Sequence, residues 1–241
     1  MKNEVLLVLF LAVNCINAQE IKNCSTCSKQ LLKIEQIQNL GVEELQFLIN
    51  DLYARKGYAF LKPEVYYYFE DQEWYKPIGN NDKLKFDKTE QQNIDFLQKK
   101  IDVLKSERNQ LLTEINNFKI ACLNDDERIL KTNFDFSEDI FVEDDSYNYL
   151  KDILKNIKIE NLGWSKNTAL YSLTVDNIEC TKNYKIKIED EKVFMFYDFV
   201  LGSKEENSII YQSKNYVKFN YVWRFEWKNN KLQFIDMEVS N

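Results

Sequence analysis

The chain has 241 residues, 44% hydrophobic and 14% aromatic, which is enough apolar mass for a packed core of one or two domains. Its formal charge is −7 and no run of Lys and Arg stands out, which argues against a nucleic-acid partner, whose phosphates must be met by a basic face. There is no histidine; that excludes Ser-His-Asp and Cys-His catalysis, HExxH and other histidine-ligated metal sites, and histidine pH switches. No metal and no cofactor are expected.

Residues 5–13 read VLLVLFLAV. Nine apolar residues are too few to cross a bilayer as a helix but suit the core of a signal peptide. Lys2 precedes the run, and Ala18 ends a short polar stretch, so cleavage is expected between Ala18 and Gln19, with a buried N-terminal strand or helix as the alternative. A lipoprotein anchored through Cys15 is a second alternative, although Ala12-Val13-Asn14 lacks a small residue directly before the cysteine. No later segment reads as a transmembrane span. The expected location is secreted or periplasmic.

Past Ala18, four cysteines remain: Cys24, Cys27, Cys122 and Cys180. An even number in an exported chain suggests disulfides, and four cysteines allow three pairings. Cys24-Ser25-Thr26-Cys27 is a CxxC in a short segment, residues 19–30. No strand precedes it as one would in a thioredoxin-like enzyme, so structural pairing is expected, with free thiols or redox function as alternatives.

Residues 31–56 read as helical. Leu31, Ile34 and Ile37 recur at helical spacing, Gly41 interrupts, and Leu45, Leu48, Ile49, Leu52 and Tyr53 form one apolar face. Lys56 falls in the last turn and Gly57 just past it, a usual C-terminal stop. Pro63 suits the first turn of a short helix carrying Val65, Tyr66, Tyr68 and Phe69. Trp74, Tyr75 and Pro77 follow as an aromatic corner, and residues 79–85 as a polar loop.

The run from Leu45 to Phe60, centred on Tyr53-Ala54-Arg55-Lys56-Gly57, resembles the signature of the YARHG domain. The likeness continues through Pro63-Glu64, Tyr68-Phe69 and Trp74-Tyr75 into Asn93-Ile94, covering roughly residues 31–100. The resemblance implies an extracellular bacterial module without an established activity, hence a location and a fold rather than a mechanism. The motif's histidine is Lys56 here, which suggests an exposed and tolerant position. Arg55 either pairs internally, with Glu70 or Asp71 as candidates, or binds an anionic ligand. Arg55, Trp74 and Tyr75 are the candidate ligand contacts.

Thr89-Glu90-Gln91-Gln92 fits a capping box. Ile94, Leu97, Ile101, Leu104, Leu111, Ile115, Phe118 and Cys122 then alternate in steps of three and four, with Arg108 in the same seam. This predicts a helix running to about residue 123. It either packs within the chain, on residues 28–53 at its start and on the C-terminal sheet at its end, or forms a homodimer through residues 90–122, in which Arg108 would need a carboxylate partner.

Residues 124–145 are acid-rich but lack the alternation and glycine of a calcium loop, and read as a solvated connector, with a cation site as the alternative. Residues 146–157 form an amphipathic helix with Tyr147, Leu150, Ile153, Leu154 and Ile157 on one face. Strands are predicted at 170–175, 184–188, 193–200, 209–212, 217–227 and 232–239. In the fifth, Phe219, Tyr221, Trp223, Phe225 and Trp227 alternate with period two, as a core row or the lining of a cleft. Asn229-Asn230 makes a tight hairpin turn. The expected fold is α+β: a small helical module (31–100), a long heptad-patterned helix, an acidic connector, and a C-terminal helix with a curved antiparallel sheet (146–241). The expected function is a non-catalytic binding or scaffold module of the bacterial envelope, with cell-wall glycan or an envelope protein as partner. The alternatives are a carboxylate-dependent hydrolase and a thiol-disulfide protein using Cys24 and Cys27.

Overall fold

A computed structural model describes residues 21–136, 145–177, 180–201 and 218–240. The expected leader with Cys15, part of the acidic connector and the strand expected at 209–212 lie outside the described residues. Among the described residues, five α-helices precede a six-stranded antiparallel sheet, an α+β architecture. The chain divides into two compact units: Met1–Leu40 with Phe47–Phe96, and Gly41–Gln46 with Leu97–Asn241.

In the first unit, the predicted helix from residue 31 is shorter than expected. Residues 31–40 form a loop with a 3-10 turn, and α1 spans Val42–Arg55. The reason lies in burial: Leu31 and Ile34 are 53% and 45% exposed, whereas Leu32, Ile37 and Leu40 are buried, so the apolar side follows no helical period. Along α1 the expected face holds, with Leu48, Ile49 and Leu52 buried. The second helix, α2, spans Pro63–Glu70 with proline at its start, as predicted, and packs Phe69 inward. The long helix α3 spans Lys88–Leu123. Its capping residue is Asp87 rather than Thr89: the Asp87 carboxylate accepts from Glu90 N at 2.9 Å, while the Glu90 carboxylate accepts from Asp87 N at 2.9 Å.

In the second unit, Leu111, Ile115, Phe118 and Cys122 of α3 belong to the main core. The chain's own residues bury that half of the seam, as the alternative of packing within the chain expects. Helix α4, Glu127–Phe134, lies where the sequence suggested a solvated connector. Its one acidic residue, Glu127, is exposed, but Leu130, Phe134 and the following Phe136 are fully buried, and Phe118 packs edge-on against both rings. Asp126 caps α4 by accepting from Ile129 N at 3.0 Å. Helix α5, Ser146–Asn156, buries the predicted face of Tyr147, Leu150, Ile153 and Leu154.

The sheet is a meander in sequence order: β1 Gly163–Ser165, β2 Thr168–Asp176, β3 Cys180–Glu189, β4 Lys192–Leu201, β5 Lys218–Lys228 and β6 Lys231–Ser240. β1 was not expected from sequence, because three residues carry too little pattern. Cross-strand rows such as Ile186, Met195 and Trp223 line the core face. The aromatic row of β5 is therefore core at its centre, with Tyr221, Trp223 and Phe225 buried and Phe219 and Trp227 partly covered. Asn229 and Asn230 both have positive φ, 52° and 59°, the two-residue turn that joins twisted strands.

A charged knot closes the start of α1 in this unit. Gly41 N donates to Glu44 Oε2 at 3.0 Å, and a Cβ on Gly41 would lie 2.6 Å from Lys166 Cα, so only glycine fits. Arg108, the cation in the heptad seam, finds its carboxylate in Glu43 at 3.1 Å, donates to Lys166 O at 2.7 Å and lies 4.6 Å over the Trp164 ring. Burial is the largest single influence and opposes ionisation of Glu43, but the Arg108 hydrogen bond, a backbone hydrogen bond and the charges of Arg108 and Lys105 together outweigh it and hold the carboxyl below its ordinary range. A lowered folded-state pKa contributes stability that is fully present above the unfolded value of about 4.3 and fades as pH falls through the lowered one. Thermal melts of wild type and Glu43→Gln should therefore differ at pH 7 and converge toward pH 3; a gap that persists at pH 3 would exclude this source.

Candidate functional site

The residues carrying the sequence signature converge at the C-terminal end of α1 in the first unit. Tyr53 is half-buried, edge-on to Tyr58 at 5.4 Å and Phe86 at 4.7 Å. Ala54 is 1% exposed and packs with Phe69 and Tyr75, where a larger side chain would not fit without repacking. Gly57 has φ +83°, and the bonds Tyr58 N to Tyr53 O and Gly57 N to Ala54 O make it the left-handed stop of a Schellman motif. A Cβ there would also meet Lys76 O at 2.7 Å, because Ile78 N donates to Gly57 O and draws that strand of chain close.

Arg55 pairs internally, but with neither carboxylate considered from sequence. Its Nε donates to Asp51 Oδ2 at 3.1 Å, one turn back on α1. Asp51 is 2% exposed, and the same oxygen accepts the backbone N–H of Cys24. A sealed carboxylate is tolerable only when donors surround it. The guanidinium also lies 4.2 Å over the Trp74 ring. Lys56, expected to be exposed and tolerant, reaches Glu90 at 2.6 Å, and Glu90 is itself 3% exposed. The motif's histidine position is thus a tie between the end of α1 and the cap of α3.

Asn93 completes the lock. Fully buried, its carboxamide accepts from Leu32 N at 2.8 Å and donates to Cys27 O at 2.7 Å and Gln30 O at 2.9 Å. The Cys24–Cys27 segment it holds is closed by a disulfide between those two residues. The sequence read Asn93 and Asp51 only as parts of a resemblance, without a role for either: a lone polar residue on an apolar helical face has no spacing signature. Its position among Leu48, Ile49 and Leu52 was the available signal.

The three candidate ligand contacts have different fates. Trp74 is 39% exposed. The Arg55 side chain is 29% exposed, and its two terminal nitrogens have no partner among the described residues. Tyr75 is 5% exposed and its hydroxyl donates to Tyr58 O at 2.6 Å, so it braces the corner from beneath. Tyr68, not singled out from sequence as a contact, is 50% exposed and flanks the buried Phe69 ring, as Trp74 does. Of the other cysteines proposed for disulfides, Cys122 and Cys180 are free and buried, and burial pushes the Cys122 thiol well up.

A guanidinium with unspent donors and an aromatic edge on one corner can bind a ligand with a carboxylate or a polar ring. The rigidity of that corner is testable at Gly57. Gly57→Ala should lower stability by about 1–3 kcal/mol, read as a lower denaturant midpoint, since it meets both an unfavourable φ and a backbone oxygen. An unchanged midpoint would contradict this account of the turn.

Neither a curated protein nor a solved structure matches the chain. Residues 23–102 match the family model described as the YARHG domain. The match begins at Asn23 and so takes in the Cys24–Cys27 disulfide, Asp51, the whole motif and Asn93. The chain is a YARHG domain-containing protein, with the match confined to about its first two fifths.

Proposed function

We propose that this is an exported, non-catalytic binding module of the bacterial cell envelope, whose contact surface is the Arg55–Trp74 corner and whose ligand is a carboxylate-bearing cell-wall glycan. The observation that carries the reading is the state of Arg55: fixed by buried Asp51, laid over Trp74, and left with both terminal NH2 groups unspent among the described residues. A guanidinium held in this way loses little freedom on binding and offers a fork to a carboxylate. The adjoining indole edge and Tyr68 suit the weakly apolar face of a sugar ring. Extracellular or periplasmic location is usual for YARHG domains, in keeping with the apolar run at residues 5–13. Among the described residues, no helix is long and apolar enough to cross a membrane.

The hydrolase alternative calls for two carboxyl groups facing each other across a cleft. The buried carboxylates of the first unit, Asp51 and Glu90, are each engaged by a cation and a backbone N–H instead. The thiol-disulfide alternative calls for an accessible sulfur at a helix start, whereas Cys24 and Cys27 are 1% and 0% exposed and sit in a turn. Both facts favour the binding reading.

The test is co-sedimentation of the protein with purified peptidoglycan sacculi. Arg55→Lys with Trp74→Phe keeps a cation for Asp51 and a ring over the corner but removes the fork and the indole. Wild type should sediment with sacculi, and the folded double variant should bind about ten-fold more weakly. Absence of wild-type binding, or equal binding by the variant, would overturn the proposal.

A further inference from the structure

A second site lies wholly within the second unit. The exposed side of α3 and the β5–β6 hairpin border an open groove of about 630 Å³, a volume within the size range of ligand sites. Its lining is unlike a peptide groove. Eight of its nine lining residues are polar, and the one aromatic side chain is the half-buried Trp227. Asp102, Asn109 and Thr113 follow one another at helical spacing along one side of α3, with Glu114 at the far end. From Asp102 to Glu114 the helix rises roughly 18 Å, room for several linked rings.

Several of these groups have unspent hydrogen-bonding capacity. The carboxamides of Asn109 and Asn230 and the indole N–H of Trp227 have no partner among the described residues. Exposed carboxamides at fixed backbone positions offer both donors and acceptors, as the hydroxyls of a sugar require. The hairpin turn fixes Asn230, because its φ of 59° belongs to the tight turn with Asn229. Trp227 is fixed from behind by its contact with the main core and by its backbone bond to Glu191 O. The charges present, Asp102, Lys105 and Glu114, leave a slight acid excess, which disfavours a polyanion. A peptide would find no apolar pocket for its side chains, whereas a sugar needs only one flat ring to stack on.

We propose that this groove binds an uncharged oligosaccharide, stacked on Trp227 and hydrogen-bonded by Asn109 and Asn230. The site is separate from Arg55 and Trp74, and the proposal stands or falls independently of the function proposed for them.

Calorimetric titration of the full-sequence protein with chitotetraose, cellotetraose and tetra-alanine tests it. Asn109→Ala with Asn230→Gly removes both carboxamides while favouring the same backbone, since alanine suits an exposed helix position and glycine a positive φ. Wild type should bind at least one tetrasaccharide and not the peptide, and the double variant, with unchanged circular dichroism, should bind it about ten-fold more weakly. Binding of neither sugar, binding unaltered in the variant, or binding of the peptide in place of the sugars would each overturn the assignment.

Discussion

Asp51 is a carboxylate with 2% exposure on the apolar face of a helix, where ionisation is tolerable only if donors meet it. Two do: the Cys24 N–H from the disulfide-closed turn and the Arg55 guanidinium from the next turn of α1. Replacing it with an apolar residue would remove a cost, but would also remove what holds two separate pieces of chain. The same logic repeats nearby. Glu90 joins Lys56 to the cap of α3, and Asn93 spends its carboxamide on three backbone groups of the N-terminal loop. Each buried polar group fixes a segment that lacks enough apolar surface to fix itself. This explains how residues 21–40, with almost no regular structure, are held in place.

The five letters of the motif acquire separate physical reasons. Tyr53 and Tyr58 provide the hydrophobic contact that accompanies the Schellman stop. Ala54 allows Phe69 and Tyr75 to pack close, and Gly57 supplies the left-handed backbone. Lys56 and Arg55 point to different carboxylates, one capping α3 and one within α1. Arg55 keeps both of its terminal nitrogens in reserve among the described residues. A side chain that is structurally engaged on one edge and free on the other is held ready for a ligand without a separate ordering cost.

Regular elements were legible in the sequence where burial follows a simple period. The face of α1 from Leu45 to Leu52, α5, the heptad run of α3, the Asn229-Asn230 turn and the alternation of β5 all satisfy that condition. Errors arose where tertiary contacts outweigh local pattern. Leu31 and Ile34 are spaced like helix residues yet exposed, and the acid-rich stretch around α4 concealed Leu130 and Phe134, which fill the core. The seam cation Arg108 was legible as needing a carboxylate, but Glu43 lies 65 residues away and no local rule points to it. The candidate site was half legible. Arg55 and Trp74 were named as ligand contacts but not as neighbours of each other, Tyr75 turns inward, and Asp51 left no pattern because isolated polar residues have no period.

The account depends on Asp51 and Arg55 acting as a coupled pair, and a double-mutant cycle on Asp51→Asn and Arg55→Gln, followed by denaturant unfolding, measures this directly. The structure predicts strong non-additivity. Once Arg55 is gone, Asp51→Asn should cost less, with a coupling of about 1–2 kcal/mol. Effects additive to within about 0.5 kcal/mol would mean that the pair carries no such energy, and would contradict the claim that Arg55 is anchored by the fold for use at the surface.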